Sequence, residues 1–456
     1  MLRLLPGSDL IDSFILEKIS ETKIPGLSIS IIKDNEVVYA RGYGYRDLTK
    51  LDAMKAETLM GIGSVTKSFT ALAILKLVEE GRLDLYDPVD KYVPIKIKPR
   101  NLPMTIHHLL THSSGIPALG YAEAFIRSVL GLDHYWLPIS NPEDIIPFMN
   151  KADKWIEAQP GEKFFYLNEG YVLLGQVISE VTGLRYEEFV KESILKPLGM
   201  KRSYFYREEI ERDGNWATPY VIDRDGKHVA TPFPFGITAD GGLISNVLDL
   251  ARYINMYLNW GETYGVKIID RSLLEKMLTP YIKTPYQRYG EEAYGYGWSI
   301  VPDFHGYKLV NHSGSVLVHT AYVGFIPDKK IGVAILANAS GYPLSLIGHY
   351  VLTYLLGKDP EELDFVKRDR ILSKLVGEYA TYKGTVKISV RRNGDFLIIE
   401  EKDRLTEITL PLVPVELSED RALFYTLIRG VKYDVEFRIS DKEVELIYER
   451  YKLRKR

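Results

Sequence analysis

One stretch of the chain constrains its fold more than any other. Residues 66–80 are almost continuously apolar and are followed by Gly81. A long apolar run closed by a glycine predicts a helix that ends at that residue. Because its apolar residues lie around most of its girth, we expect this helix in the centre of a domain. The segment "GIGSVTKSFTA" at 61–71 places Ser64 and Lys67 at its beginning.

Composition limits what the chain can do. At 456 residues it is longer than one hydrophobic core normally extends, so we expect two domains. Its 46% hydrophobic and 26% charged residues are typical of globular proteins, and a net charge of −3 argues against nucleic acid or an anionic membrane as a partner. It has no cysteine, which excludes disulfides and thiolate chemistry, and its 32 tyrosines are in keeping with a thermophile.

The sequence shows no targeting signal. The opening "MLRLLPGSDLIDSF" has acidic and proline residues where a signal peptide needs an unbroken apolar core. The longest uncharged apolar stretch, 342–357, is shorter than a membrane span and contains a histidine, so it predicts a buried helix. We therefore expect a cytoplasmic protein.

The first part of the chain has the pattern of an α+β domain, which we assign to residues 1–357. Residues 26–44 predict a β-hairpin that turns at Asp34-Asn35, and three later strands predict the rest of one antiparallel sheet. A mainly helical region is inserted between these two halves. The later strands are predicted at 306–312, 320–326 and 331–338, and the clearest helices at 9–22, 105–111, 168–183, 185–194, 246–260 and 344–356.

The pattern changes after residue 357. Residues 358–371 are charged and unpatterned, which predicts a linker. Residues 372–456 predict seven or eight short antiparallel strands, in a small barrel or sandwich without reactive side chains that suggest chemistry. We interpret this second domain as a packing or oligomerisation module. Its runs lie at 376–382, 385–392, 395–400, 405–415, 422–428, 431–439 and 443–451.

A Ser-x-x-Lys pair alone is a weak signal, since Ser193 and Lys196 form another one. Lys196 precedes a proline, which disfavours a helix there. Ser64 and Lys67, in contrast, begin the central helix and face the same way. The N–H groups of a helix N-terminus stabilise an oxyanion, and Lys67 could accept the serine proton. In the alternative interpretation Ser64 only caps the helix and Lys67 extends to solvent.

Two further motifs follow in order, Tyr166-Leu167-Asn168 and His312-Ser313-Gly314. This succession of Ser-x-x-Lys, Tyr-x-Asn and Lys- or His-x-Gly resembles the penicillin-recognising serine hydrolases. These include D-alanyl-D-alanine carboxypeptidases, class C β-lactamases, D-aminopeptidases and esterases. The resemblance covers about residues 9–345, and the layout with a lipocalin-like C-terminal barrel resembles that of archaeal serine peptidases of this group.

The resemblance implies a sheet flanked by helices and a reaction through an acyl-enzyme on Ser64, with no cofactor or metal. It assigns Lys67 and Tyr166 to an acid–base pair, whose shared titration leaves open which one is the base. The backbone N–H groups of Ser64 and Ser315 would hold the oxyanion. His312 is a further catalytic candidate, and the substrate-binding candidates are Asn168, Ser313 and Gly314.

Two departures from the family pattern bear on the substrate. His312 stands where related β-lactamases carry lysine, and a histidine is charged only part of the time near neutral pH. Leu167 replaces the serine that is common in the second motif. Both favour a peptidase for short peptides, including peptides with D-residues. Separately, we expect a homo-oligomer that assembles through the C-terminal barrel. A carboxylesterase, a weak β-lactamase and a catalytically silent binding module are the alternatives.

Three histidines lie together in "TIHHLLTHSSG". His108 and His112 have the i, i+4 spacing of a metal-binding pair, but no carboxylate accompanies them at metalloprotease spacing. We expect capping or supporting roles for these two and for His107, and no metal site.

Overall fold

Two units of structure follow each other along the chain, and the division falls between Gly357 and Lys358. The computed structural model describes residues 5–132, 141–263, 265–402 and 407–456. Within these ranges no helix combines the length and the apolar character that a membrane span requires.

The first unit is built on a large antiparallel sheet, which has nine strands among the described residues, in the order β10-β11-β12-β13-β14-β15-β1-β2-β3. The hairpin β1–β2 joins the late strands through β15, with Ile29 opposite Ile335. The strands are β1 Gly26–Lys33, β2 Glu36–Asp47, β3 Asp52–Ala53, β4 Met60–Gly61, β5 Tyr220–Ile222, β6 His228–Ala230, β7 Ile244–Ser245, β8 Glu262–Thr263, β9 Val266–Lys267, β10 Ile282–Lys283, β11 Ala293–Tyr294, β12 Ser299–Phe304, β13 Tyr307–Ser315, β14 Thr320–Ile326 and β15 Ile331–Ala337.

Helices cover both faces of this sheet, and every residue of β15 is therefore buried. Helix α9 packs on β1, β14 and β15, whereas α11 packs on β14 and β15. The helices are α1 Ser8–Thr22, α2 Thr66–Glu79, α3 Ile106–Leu110, α4 Tyr121–Val129, α5 Ile145–Met149, α6 Asn168–Thr182, α7 Tyr186–Val190, α8 Arg207–Asp213, α9 Val247–Leu258, α10 Arg271–Met277 and α11 Leu344–Leu355. The predicted α+β fold, with helices inserted between two halves of one sheet, is confirmed.

Helix α2 lies in the interior of the first unit, as its composition predicts. All residues from Thr66 to Leu75 are buried. The helix packs against α6, α7 and α10, and Phe69 stacks on Tyr253 of α9 with 3.8 Å between ring centroids. Its N-terminus, which carries Ser64 and Lys67, therefore points into the junction between the helical region and the sheet.

The second unit consists of helix α12 (Asp364–Leu375) and a closed antiparallel barrel of eight described strands. The linker predicted at 358–371 is largely helical instead, because Ile371, Leu372 and Leu375 bury one face of α12 in the core of this unit. Of the two predicted alternatives, barrel and sandwich, the structure has the barrel. The start of the strand predicted at 405–415 lies outside the described residues. The strands are β16 Gly377–Ala380, β17 Lys387–Asn393, β18 Phe396–Lys402, β19 Glu407–Leu417, β20 Arg421–Ile428, β21 Val431–Ile439, β22 Val444–Tyr448 and β23 Tyr451–Lys455.

Candidate active site

Ser64 lies in a single 3₁₀ turn, Gly63–Val65, that leads directly into α2. Strand β13 passes unusually close to this turn. Gly63 has φ +51°, and a Cβ there would lie 2.5 Å from the backbone nitrogen of Ser315. A Cβ at Gly314 would collide with the Ile62 carbonyl oxygen. Two glycines thus allow the strand and the turn to meet, and they bring the backbone nitrogens of Ser64 and Ser315 to one junction.

Lys67 is fully buried and directed at Ser64. Its Nζ lies 3.1 Å from Ser64 Oγ, 2.8 Å from Asn168 Oδ1 and 2.6 Å from the backbone oxygen of Asp240. Burial lowers the pKa of Lys67 to about 8, although the carboxylates of Asp240, Glu123 and Glu169 oppose this shift. The alternative in which Lys67 extends to solvent is therefore wrong.

Tyr166 approaches the same hydroxyl from the other motif. Its side chain hydrogen-bonds Ser64, and Lys67 Nζ lies 4.9 Å from the centroid of its ring. Burial raises the pKa of Tyr166 above its usual value, and the hydrogen bond from Ser64 offsets only part of this effect. The phenol therefore keeps its proton near neutral pH. The pKa of Lys67, in contrast, falls toward neutral pH.

His312 lies beside this group without touching Ser64. Its Nδ1 is 2.6 Å from the carbonyl oxygen of Ser313, to which it must donate, so its Nε2 accepts from the Tyr294 hydroxyl at 2.9 Å. Burial, together with the charge of Lys67, lowers the pKa of His312 to about 3. The sequence predicts a partly charged imidazole, but at neutral pH this one carries no charge.

The other histidines have the supporting roles that the sequence indicates. His108 forms a capping box with Thr105 at the beginning of α3. His112 is buried, accepts a hydrogen bond from the backbone of Leu167 at 3.0 Å, and packs its ring 4.2 Å from that of Tyr166. His107 bonds the Tyr296 hydroxyl at 2.8 Å. His108 and His112 thus have separate hydrogen-bond partners, although their spacing is that of a metal-binding pair.

The decoy pair has no such geometry. Ser193 bonds the backbone oxygen of Phe189 at 2.5 Å, whereas the Lys196 ammonium is exposed and lies 2.6 Å from a carboxylate oxygen of Glu192. Neither side chain of this Ser-x-x-Lys pair contacts the other's functional group.

Two buried carboxyl groups next to Lys67 are not predicted from the sequence. Glu169 follows Asn168 at the beginning of α6, and burial raises its pKa to about 7. Asp240 is also buried, with its pKa raised by burial and lowered in part by Lys67. Tyr121 joins the two, because its N–H donates to Glu169 at 3.2 Å and its hydroxyl bonds Asp240. The sequence signal that could have identified Glu169 is its position within the otherwise apolar run "NEGYVLLG".

A cavity of about 910 Å³ opens onto these groups. Its volume lies in the upper range of small-molecule sites. Charged side chains of both signs line it, namely Glu123, Arg127, Arg288 and Glu292. The candidate site residues on its wall are Ser64, Tyr166, Asn168, His312, Ser313, Gly314 and Ser315.

The fold and the sequence together define the class of protein. The beta-lactamase family model matches residues 11–352, so the chain belongs to this family of serine hydrolases, as its motifs indicate. A second model, that of the Pab87 octamerisation domain, matches residues 360–454.

Relatives of both units are known. Protein flp of Staphylococcus aureus (strain NCTC 8325 / PS 47) is 32% identical over 344 residues, which cover 74% of this chain but only 65% of that protein. Penicillin-binding protein 4* of Bacillus subtilis is 26% identical over 443 residues, covering 91% of this chain and 90% of that protein.

Among solved structures, the octameric penicillin-binding protein homologue from Pyrococcus abyssi matches with a TM-score of 0.94 and 55% identity, covering 98% of this chain and 100% of that one. EstCE1, described as a hydrolase with promiscuous acyltransferase activity, shares the fold alone, with a TM-score of 0.60, 20% identity and coverage of 73% and 93%.

Proposed function

We propose that this protein is a serine peptidase that hydrolyses short peptides through an acyl-enzyme on Ser64. The observation that carries the proposal is the convergence of Lys67 and Tyr166 on one hydroxyl at the beginning of a buried helix. A serine needs an adjacent base to become a nucleophile, and both neighbours are within hydrogen-bonding reach.

Lys67 is the base in this proposal. With a pKa of about 8, roughly a tenth of the lysine is neutral at pH 7, which suffices for a group that acts in every turnover. Neutral Nζ takes the proton from Ser64 Oγ as the oxygen attacks the substrate carbonyl. Asn168 and the Asp240 backbone oxygen hold the amine in place for this step.

The backbone N–H groups of Ser64 and Ser315 would stabilise the oxyanion. Loss of one such donor typically costs about 3 kcal/mol of transition-state stabilisation. Tyr166, a neutral phenol bonded to Ser64, would pass the proton from the Lys67 ammonium to the leaving amine. A water molecule then attacks the acyl-enzyme, and Ser64 recovers its proton.

The neutral state of His312 supports a peptidase over a β-lactamase. A β-lactam antibiotic presents a carboxylate that a fixed cation would recognise, and this imidazole offers none at neutral pH. Leu167, which is buried, also lacks the hydroxyl of the usual second motif. A cavity of this size accommodates a short peptide, and we include peptides with L- or D-residues at the cleaved bond in the proposal.

We further propose that the protein assembles as a homo-octamer through its barrel. The match of residues 360–454 to an octamerisation domain and the 55% identity to an octameric homologue support this assembly.

Labelling with a fluorophosphonate tests the catalytic proposal. Wild-type protein and Ser193→Ala, which alters the decoy motif, should be labelled equally, whereas Ser64→Ala should not be labelled. Hydrolysis of matched D- and L-aminoacyl anilides, a p-nitrophenyl ester and a cephalosporin then identifies the substrate. A strong preference for the ester or the cephalosporin contradicts the peptidase, and absence of any labelling favours a silent binding module.

A further inference from the structure

Exposed apolar side chains are grouped on one part of the outer surface of the barrel, among the residues that the structure describes. On β18, β19 and β20 the inward residues include Leu397, Leu412 and Phe424, which are buried, and the residues that alternate with them point outward. Eight of these outward positions are occupied by apolar side chains. We call them the outer apolar patch: Phe396, Ile398, Pro411, Val413, Val415, Leu423, Tyr425 and Leu427.

The strand register makes the patch continuous. Ile398 lies opposite Pro411, and Val413 lies opposite Tyr425. Phe396 and Leu427 extend these two cross-strand rows on the same face, since residues two apart share a face of a strand. Val415 lies in the β-bulge between Pro414 and Glu416, beside Leu423.

The remaining strands of the barrel carry ion pairs on their outer faces. Glu445 of β22 lies 2.6 Å from Lys452 and 3.3 Å from Arg454 of β23. Glu436 of β21 pairs with Arg421 at 3.0 Å, and Arg391 of β17 pairs with Glu400 at 3.3 Å. The latter two pairs border the patch, so charged side chains lie on two sides of an apolar centre.

The side chains of this patch are strongly exposed to solvent. Phe396 is 52% exposed and Leu427 is 58% exposed. Three strands about 4.8 Å apart and three residue rows give an apolar area of roughly 300 Å², comparable to the largest patch on a typical monomer. Interfaces bury about 800 Å² per partner and have an apolar core with a polar rim. The patch is about as large as the apolar core of such an interface, and the ion pairs lie where its polar rim would be.

We propose that the outer apolar patch is the contact through which barrels of different subunits bind each other, the patch of one subunit against the same patch of a second copy. This inference rests on the proposed octamer and specifies the face that forms it. The mixed charge of the rim suits a second copy, in which the same carboxylates and cations recur, better than an anionic membrane. A patch that binds its own copy gives a two-fold contact, the commonest element of closed assemblies.

Because the chain has no cysteine, single-cysteine variants test this contact directly. Leu427→Cys and Phe396→Cys, each in the full chain, should give a covalent dimer with a short bismaleimide. Tyr382→Cys is the matched control, since Tyr382 is 83% exposed and lies outside the patch. It should stay monomeric on a denaturing gel. Equal cross-linking of all three variants, or none at the patch, overturns the proposal.

Light scattering on Leu427→Lys and Phe396→Lys gives a second readout. Two lysines brought face to face in an apolar contact repel each other, so the mass should fall to half of the wild-type assembly or less, while Tyr382→Lys keeps the wild-type mass. Unchanged mass in both patch variants overturns the inference but leaves the octamer standing. A monomeric wild-type protein overturns both, and labelling at Ser64 reports on the catalytic proposal separately.

Discussion

At the scale of single residues, the chemistry of the site depends on how burial changes the pKa of a basic group and of acidic groups. Burial disfavours the charged form of any group, so it lowers the pKa of Lys67 and raises those of Tyr166 and Glu169. The amine thereby becomes a base near neutral pH and the phenol remains an acid. The buried carboxyl groups oppose the effect on Lys67, so they set where its titration falls.

This balance predicts the pH dependence of acylation. The rate constant of fluorophosphonate labelling should rise with pH and level off above about 8, because only neutral Lys67 accepts the serine proton. Glu169→Gln removes a negative charge that favours the ammonium, so the midpoint should move to lower pH. Glu180→Gln, at an exposed position of the same helix, should leave the midpoint unchanged. A rate independent of pH, or a midpoint that rises in Glu169→Gln, would contradict the role of Lys67.

At the scale of structural elements, the site is the junction of a strand with a helix N-terminus. Strand β13 supplies His312, Ser313 and Ser315, and the turn before α2 supplies Ser64. The close approach depends on Gly314, since a side chain there has no room beside the Ile62 carbonyl. The proposed oxyanion site is therefore formed by backbone N–H groups of two segments, and it does not depend on the side chains at these positions.

A pair of substitutions on β13 tests this dependence. Gly314→Ala should push the strand away from the turn and lower kcat by about 10²–10³, as expected for a lost oxyanion donor. Ser315→Ala keeps its N–H group and should retain most of the activity. Steady-state kinetics on the best anilide or ester, with circular dichroism to check the fold, provide the measurement. Equal losses in the two variants would mean that the Ser315 side chain, rather than its backbone, acts in catalysis.

At the scale of the whole molecule, reactive side chains and the proposed assembly surface belong to different units. The candidate site residues all precede Gly357, and the main core of the first unit contains no residue beyond it. The second unit has its own core, formed by the barrel interior and one face of α12. Catalysis and assembly are thus expected to be separable.

Removal of the second unit tests the separation. A chain ending at Gly357 should still react with a fluorophosphonate at Ser64, because its core and site are intact, but its mass by light scattering should be that of a monomer. Full-length protein is the reference for both measurements. An unchanged assembly would place the subunit contacts in the first unit.

Features that depend on local pattern could be predicted from the amino-acid sequence. The buried helix α2 follows from its apolar run, the sheet from its alternating strands, and the three motifs from their order along the chain. Residues 358–371 have the composition of a linker because the apolar residues of α12 lie among many charges. The barrel core, in which Ile371, Leu372 and Leu375 are buried, explains why the segment is helical.

Features that depend on residues far apart in the sequence could be recognised only in the folded protein. The low pKa values of Lys67 and His312, the grouping of Glu169 with Asp240, and the closure of the barrel all arise between segments far apart in sequence. Desolvation is set by everything that surrounds a group, and no local pattern records it. The same holds for the outer apolar patch, whose members become neighbours only through the register of three strands.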